Sequence, residues 1–126
     1  MTPDPIVLSA GLNQNFQLFR AEAKVLQIAM IGYDLATATG IEWRCCWSPY
    51  SVDAANETFV KKTLTAGIVV AGTNLEITLA SADTAAMQPG IYYHELKVTQ
   101  ADDAVKVAMT GNAVIRMSLN MEGLPR

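Results

Sequence analysis

Along most of the chain, apolar and polar residues alternate with a period of two. Asn74-Leu75-Glu76-Ile77-Thr78-Leu79 puts Leu75, Ile77 and Leu79 on one face and Glu76 and Thr78 on the other, the pattern of a half-buried strand. The stretch from Ile41 to Ser48 alternates too, with Ile41, Trp43, Cys45 and Trp47 expected inside and Glu42, Arg44 and Ser48 outside. Lys24 to Ile31 is apolar on both faces apart from Gln27, which predicts a central strand with a covered outer side. Further strands are expected at Phe16–Arg20, Thr63–Val70, Ile91–Gln100, Ala104–Met109 and Ala113–Leu119.

Turn chemistry separates these segments. Gly32 to Gly40 links two strands, Ala71-Gly72-Thr73-Asn74 makes a tight reversal, and Asp102-Asp103 makes another. Thr110-Gly111 interrupts the last strand, where glycine marks a bulge. Only Ser81 to Met87 has a helical character, with Ser81 or Asp83 as cap and Pro89-Gly90 as stop. Seven or eight short antiparallel strands with one helical turn predict an all-β, immunoglobulin-like β-sandwich. Residues 1–14 are read as an extended arm, 15–120 as the sandwich and 121–126 as a tail. Within it, Pro89-Gly90-Ile91-Tyr92 after a helical turn is what a tyrosine corner needs, and Trp43 takes the place of the buried tryptophan on the third strand. Leu75, Ile77, Leu79 and Leu96 join Trp43 and Tyr92 in the expected core.

Composition narrows the function. At 126 residues the chain suits one domain. It is 51% apolar and 17% charged, against about 25% charged in an average soluble domain. No apolar run approaches the roughly 20 residues of a membrane span, and the aliphatic content excludes a disordered chain. Nine Lys and Arg against twelve Asp and Glu give a net charge of −3, which leaves the counterion release that drives nucleic-acid binding little to work with. The start, Met1-Thr2-Pro3-Asp4-Pro5, lacks the basic and apolar parts of a secretory signal. Adjacent Cys45 and Cys46 point to opposite faces of a strand and are read as free thiols of a chain made in a reducing cytoplasm. In that setting the sequon Asn56-Glu57-Thr58 is accidental.

Catalytic chemistry finds little support. His94, the single histidine, falls on the inward side near a sheet edge and reads as a packed, hydrogen-bonded residue. Ser48 or Ser81 with His94 and Asp83 lack a nucleophile elbow or oxyanion loop. Asp102, Asp103 and Glu95 lack the ligand spacing of a calcium loop, and two cysteines with one histidine make no convincing zinc site. Gly67 and Gly72 are not followed by the Lys-Ser/Thr of a phosphate loop. No enzyme activity, metal or cofactor is expected.

Several motifs together resemble the immunoglobulin-like domains of tailed-phage virion proteins, such as the N-terminal domain of the upper-baseplate protein. They are Asp34-Leu35, Trp43-Arg44, Lys62-Thr63-Leu64 with Gly67-Ile68, Leu75, Ile77 and Leu79, Asp83-Thr84-Ala85, Pro89-Gly90 with Tyr92, Glu95-Leu96, and Gly111. They span about Asp34 to Leu119. In the baseplate proteins such a domain precedes a long fibre or receptor-binding region, whereas the sequence here stops at Arg126. The resemblance therefore implies a small accessory component of the capsid, neck or tail, acting by assembly with other virion proteins and with copies of itself. The low charge agrees, because a subunit buried against neighbours needs less of it.

The surfaces expected to make those contacts are Ile91 and Tyr93, flanked by Glu95 and Lys97, and the apolar end of the last strand with Met117 and Leu119. Both termini are suited to adding a strand to a neighbour's sheet. Trp47, Tyr50 and Tyr93 also raise the alternative of a glycan-binding or adhesion module. Localisation follows as the virion, after synthesis in the host cytoplasm.

Overall fold

The computed structural model describes residues 5–48 and 58–117. Nine strands and one helical turn follow in the order β1 (Pro5–Ser9), β2 (Phe16–Phe19), β3 (Lys24–Ala29), β4 (Gly40–Cys46), β5 (Thr58–Leu64), β6 (Gly67–Ala71), β7 (Asn74–Leu79), α1 (Ser81–Thr84), β8 (Gly90–Thr99) and β9 (Val105–Arg116). Their spatial order is β1-β3-β7-β6-β5-β4-β8-β9-β2. The first four correspond to the A-B-E-D sheet of an immunoglobulin-like domain, and β5-β4-β8-β9 to C′-C-F-G. The fold is thus an immunoglobulin-like β-sandwich. β2 adds to the second sheet by pairing in parallel with β9, and β1 runs parallel to β3. Hydrogen bonding continues between the sheets through the short parallel contact of Thr63 with Gly67 and Leu64 with Ile68, and at the far side through the bridge of Gly11, just after β1, to Met109 of β9.

The single strand expected over Thr63–Val70 is two strands. Thr65 takes a positive φ of 70° and Gly67 one of 106°, so the chain turns at Thr65-Ala66 and crosses from one sheet to the other. Gly67 is held to glycine twice over: its φ is left-handed, and a Cβ there would lie 2.6 Å from Cδ of Lys62. The Lys62 stem covers Gly67 and its Nζ reaches Oδ2 of Asp83 at 2.9 Å. Asp83 also accepts a 2.7 Å bond from the backbone N–H of Ala80. The helix cap is therefore Ala80 with Asp83 reaching back, and neither Ser81 nor Asp83 occupies the cap position.

The last strand also differs from its expected form. β9 is continuous, and its bulge lies at Ala108, where the register with β8 shifts between Leu96 and Lys97. Ala108 and Met109 are consecutively buried as a result. Gly111 serves another purpose: the backbone of Gln14 presses on it, so that a Cβ would meet the Gln14 carbonyl. This contact anchors the segment between β1 and β2, together with bonds from Gln14 N to Thr110 O and from Gly11 N to Ala108 O. Residues 5–9 of the expected arm are extended and paired with β3 as β1.

The core lies between the two sheets. Leu26, Ile28, Leu75 and Ile77 from one sheet and Trp43, Tyr92, Leu96 and Val98 from the other are essentially inaccessible, with Leu79 beside them. The tyrosine corner forms as the sequence predicts: Tyr92 Oη donates a 2.6 Å bond to the carbonyl of Gln88. Thr84 in α1 is buried, and its hydroxyl accepts from the backbone N–H of Ala21 at 2.8 Å, tying the corner to the turn before β3.

Gly111→Ala is expected to lower stability by about 3 kcal/mol, the upper end of the cost of overpacking, whereas Gly40→Ala, whose Cβ would meet Thr99 at an ordinary 3.5 Å, changes it by under about 1 kcal/mol. Tyr92→Phe, which removes one hydroxyl bond, should cost about 1 kcal/mol. Urea midpoints measure all three. Equal midpoints for the two glycine variants would refute the backbone contact.

Candidate functional site

β8 is a central strand, between β4 and β9. His94 on it is therefore not near a sheet edge but fully buried in the middle of a sheet, opposite Cys45 on one side and Gly111 on the other. Trp43 Nε1–H donates to Nδ1 of His94 at 3.1 Å, so that nitrogen carries no proton. The proton sits on Nε2, which lies 2.6 Å from the carbonyl of Gln14 and donates to it. Phe16 packs edge-on at 4.9 Å between ring centroids. Burial pushes the His94 pKa down to about 4, and the bond to Gln14 opposes that shift only in part. The imidazole is neutral, bonded at both nitrogens and closed to solvent, as a packed histidine should be.

The two thiols follow the strand geometry. Cys45 faces the core opposite His94, and Cys46 lies on the outer face opposite Tyr93. Both are nevertheless buried, and neither is in a disulfide. Burial, and secondarily the neighbouring Cys46, push the Cys45 thiol up to about 12, far from the range of a reactive cysteine. Among the described residues no three of His, Cys, Asp and Glu converge as a metal would require.

The described surface carries exposed apolar side chains at several places, among them Ile31, Leu12 and Val7, and an aromatic group of them lies at one end. Trp47 follows β4 and is 59% exposed, although alternation predicts it inside. β4 ends at Cys46, so Trp47 stands one residue past the strand, at the rim of the core; beside it the register of β4 with β5 shifts between Cys45 and Cys46. Phe59, the extra residue on β5, turns with Trp47 towards the rim of the core. There they meet the Tyr92 ring edge-on at centroid distances of 5.1 Å for Phe59 and 5.6 Å for Trp47. Strand directions bring the end of β4, the starts of β5 and β8, and the ends of β9 and β2 to this same side. Ile91, Met117 and Phe19 are therefore exposed there as well.

Sequence reasoning placed Ile91 and Tyr93 together on the outer face of β8. Ile91 is exposed there, while Tyr93 is half-buried and its hydroxyl donates to Glu95 Oε1 at 2.9 Å. Burial first, and the Glu95 carboxylate second, push the Tyr93 pKa up to about 12. Further along this face Glu42 bridges Arg44 at 2.8 Å and Lys61 at 3.4 Å, so the middle of the sheet is polar and the end is not. Tyr50 and Leu119 lie outside the described residues. Nothing in the alternation marks Phe19 or Phe59 as a contact residue, and the bulge at Phe59 has no signal in the local pattern.

No family model matches the chain, and no curated protein matches it. Among solved structures it is similar to the fibronectin(III)-like modules of CbhA from Clostridium thermocellum. That match has 7% sequence identity and a TM-score of 0.46, and it covers 88% of this chain and 98% of that one.

The buried imidazole makes stability depend on pH in a defined window. An unfolded histidine titrates near 6.5 and the folded one at about 4, so between these values the unfolded state binds a proton that the native state does not. The His94 contribution is complete above pH 6.5 and declines as the pH falls towards 4, by at most about 1.4 kcal/mol per pH unit. Urea unfolding at pH 7, 6 and 5 should show this decline, and His94→Asn should remove it while lowering stability at pH 7. A wild-type profile flat from pH 7 to 5 would contradict the assignment.

Proposed function

We propose that this immunoglobulin-like module acts by binding other proteins and not by catalysis, as a structural component of a tailed-phage virion. The carrying observation is the gathering of exposed Trp47, Phe59, Ile91, Met117 and Phe19 at one end of a domain whose own core is closed. Apolar side chains concentrated in this way favour burial against a partner. The resemblance from Asp34-Leu35 to Gly111 supports the virion as the setting, and the low charge supports a subunit that spends its life against neighbours. The non-enzymatic role is supported by His94, whose two ring nitrogens are both committed to structural bonds, and by the raised pKa of Cys45. In this role the module docks on capsid, neck or tail subunits, associates with copies of itself, and needs no cofactor, nucleic acid or membrane.

A second role, glycan binding, is favoured by one observation: the exposed Trp47 indole, a surface on which a sugar ring stacks. The chain has two tryptophans, and Trp43 is buried, so any fluorescence change on ligand binding belongs to Trp47. Mass spectrometry of purified particles of the phage that encodes the chain should find it at stoichiometric levels, and a panel of sugars should leave Trp47 emission unchanged. Absence from the particles together with a saturable sugar response would replace the virion role with the glycan-binding one.

A further inference from the structure

The two sheets turn different faces outward. On the outer face of β5-β4-β8, Lys61, Glu42, Arg44, Glu95 and Lys97 stand side by side. The outer face of β1-β3-β7-β6 is made by every second residue from Pro5 to Ser9, Val25 to Ala29, Asn74 to Thr78 and Val69 to Ala71. Among these positions Glu76 is the single charge, and none is Lys or Arg. The sequence of β3 carries the same signal, since it is apolar on both sides apart from Gln27, as in a strand whose outer side is covered. Within one copy the described elements leave that side open, with Val7 71% and Val69 58% exposed.

The middle of this face is a row in register across four strands. Val7 pairs with Gln27, Gln27 with Glu76, and Glu76 with Val69. The row reads apolar, amide, carboxylate, apolar, so it complements its own reverse. A second copy related by a two-fold axis along the strands sets Val7 against Val69 at both ends. It also sets each Glu76 carboxylate against a Gln27 amide, whose N–H donates to it in a charge-assisted bond. A two-fold axis across the strands would instead set Glu76 against Glu76, which like-charge repulsion disfavours. The neighbouring row, Ser9-Ala29-Asn74-Ala71, has only short side chains, so two such faces can approach to the about 10 Å of stacked sheets.

We propose that the outer face of β1-β3-β7-β6 is an isologous docking surface for a second copy of this chain, with Gln27 and Glu76 of each copy bonded across it. The inference rests on the proposed assembly role and names the surface on which copies meet. Four strands about 4.8 Å apart, each of five residues rising about 3.3 Å, give a face of roughly 320 Å² in plan on each copy. That is less than the roughly 800 Å² per partner of a standard stable interface. Pairing is therefore weak and reversible in solution, and it strengthens where copies are already held together in an assembly.

The test uses full-length chains. Sedimentation from about 10 μM to about 1 mM covers the affinities expected of so small an interface, and the wild type should show a reversible monomer–dimer equilibrium. Gln27→Glu sets like charges face to face and should weaken it about tenfold or more, whereas Gln27→Lys sets a cation against Glu76 and should not weaken it. Lys97→Gln, on the other sheet, is the control and should leave it unchanged. A short bismaleimide then reads the orientation, with the wild type and its buried Cys45 and Cys46 as blank. A Val7→Cys chain mixed with a Val69→Cys chain should cross-link about tenfold more than either chain alone. A wild type monomeric throughout, a dimer that Q27E weakens no more than K97Q, or a V7C chain that cross-links as well alone as with V69C would overturn the proposal. The virion role is scored separately: particles that contain a chain monomeric in solution overturn the pairing alone, whereas Q27E-sensitive pairing of a chain absent from particles overturns the virion role alone.

Discussion

The bridge through His94 is the constraint on which the rest of the sandwich depends. An imidazole at the centre of a sheet has two nitrogens to satisfy and no water to do it, and an unmet polar group in such a place costs about 1–3 kcal/mol. Trp43 on β4 satisfies one nitrogen and the Gln14 carbonyl the other. The second bond fixes where the β1–β2 connection crosses β9, and that crossing demands a residue without a side chain at Gly111. β2 is then delivered alongside the end of β9, with Phe16 packed against the imidazole. One side chain thus couples the inner layer, the first connection and the last strand.

In immunoglobulin domains of antibodies the corresponding space is crossed by a disulfide. Here Cys45 is free and the link between layers is made by packing, by the Tyr92 corner and by the polar ties around α1. Lys62 pairs with Asp83, Thr84 accepts from Ala21, and the Arg20 guanidinium donates to the Met87 carbonyl. These bonds join β5, the turn before β3 and the corner, so the motifs Lys62-Thr63-Leu64 and Asp83-Thr84-Ala85, distant in sequence, meet in space. Each such tie is modest alone, and a partly exposed ion pair contributes about 1 kcal/mol or less. Their common effect is to hold the rim of the sandwich at the turn where the chain changes sheets.

Most strands could be read directly from the sequence, because a period of two is a local property of the chain. Asn74–Leu79 and the core side of β4 are as the pattern demands, and the tyrosine corner is legible in Pro89-Gly90-Ile91-Tyr92. What escaped was set by pairing between distant segments. The bulge at Phe59 depends on how β5 meets β4, and the exposure of Trp47 depends on where β4 ends relative to the core. The bulge at Ala108 depends on β8, so a glycine nearby attracted the prediction instead. The break at Thr65-Ala66 was masked because Thr63 to Val70 is uniformly strand-forming, and only the conformation of Gly67 separates its two halves. Of the proposed contact residues, Ile91 and Met117 could be anticipated from alternation; the common end that assembles them with Phe19 and Phe59 is a property of topology.

The adjacent thiols carry one more consequence. Cys45 and Cys46 lie on opposite faces of one strand, and both are closed to solvent. A thiol reagent therefore reaches Cys45 from the space between the layers and Cys46 from the outer face of the sheet. Labelling rates of the two sulfurs would separate local opening of a face from separation of the whole domain. The chain thereby carries, in two neighbouring atoms and without any added probe, an internal clock for each of its two ways of coming apart.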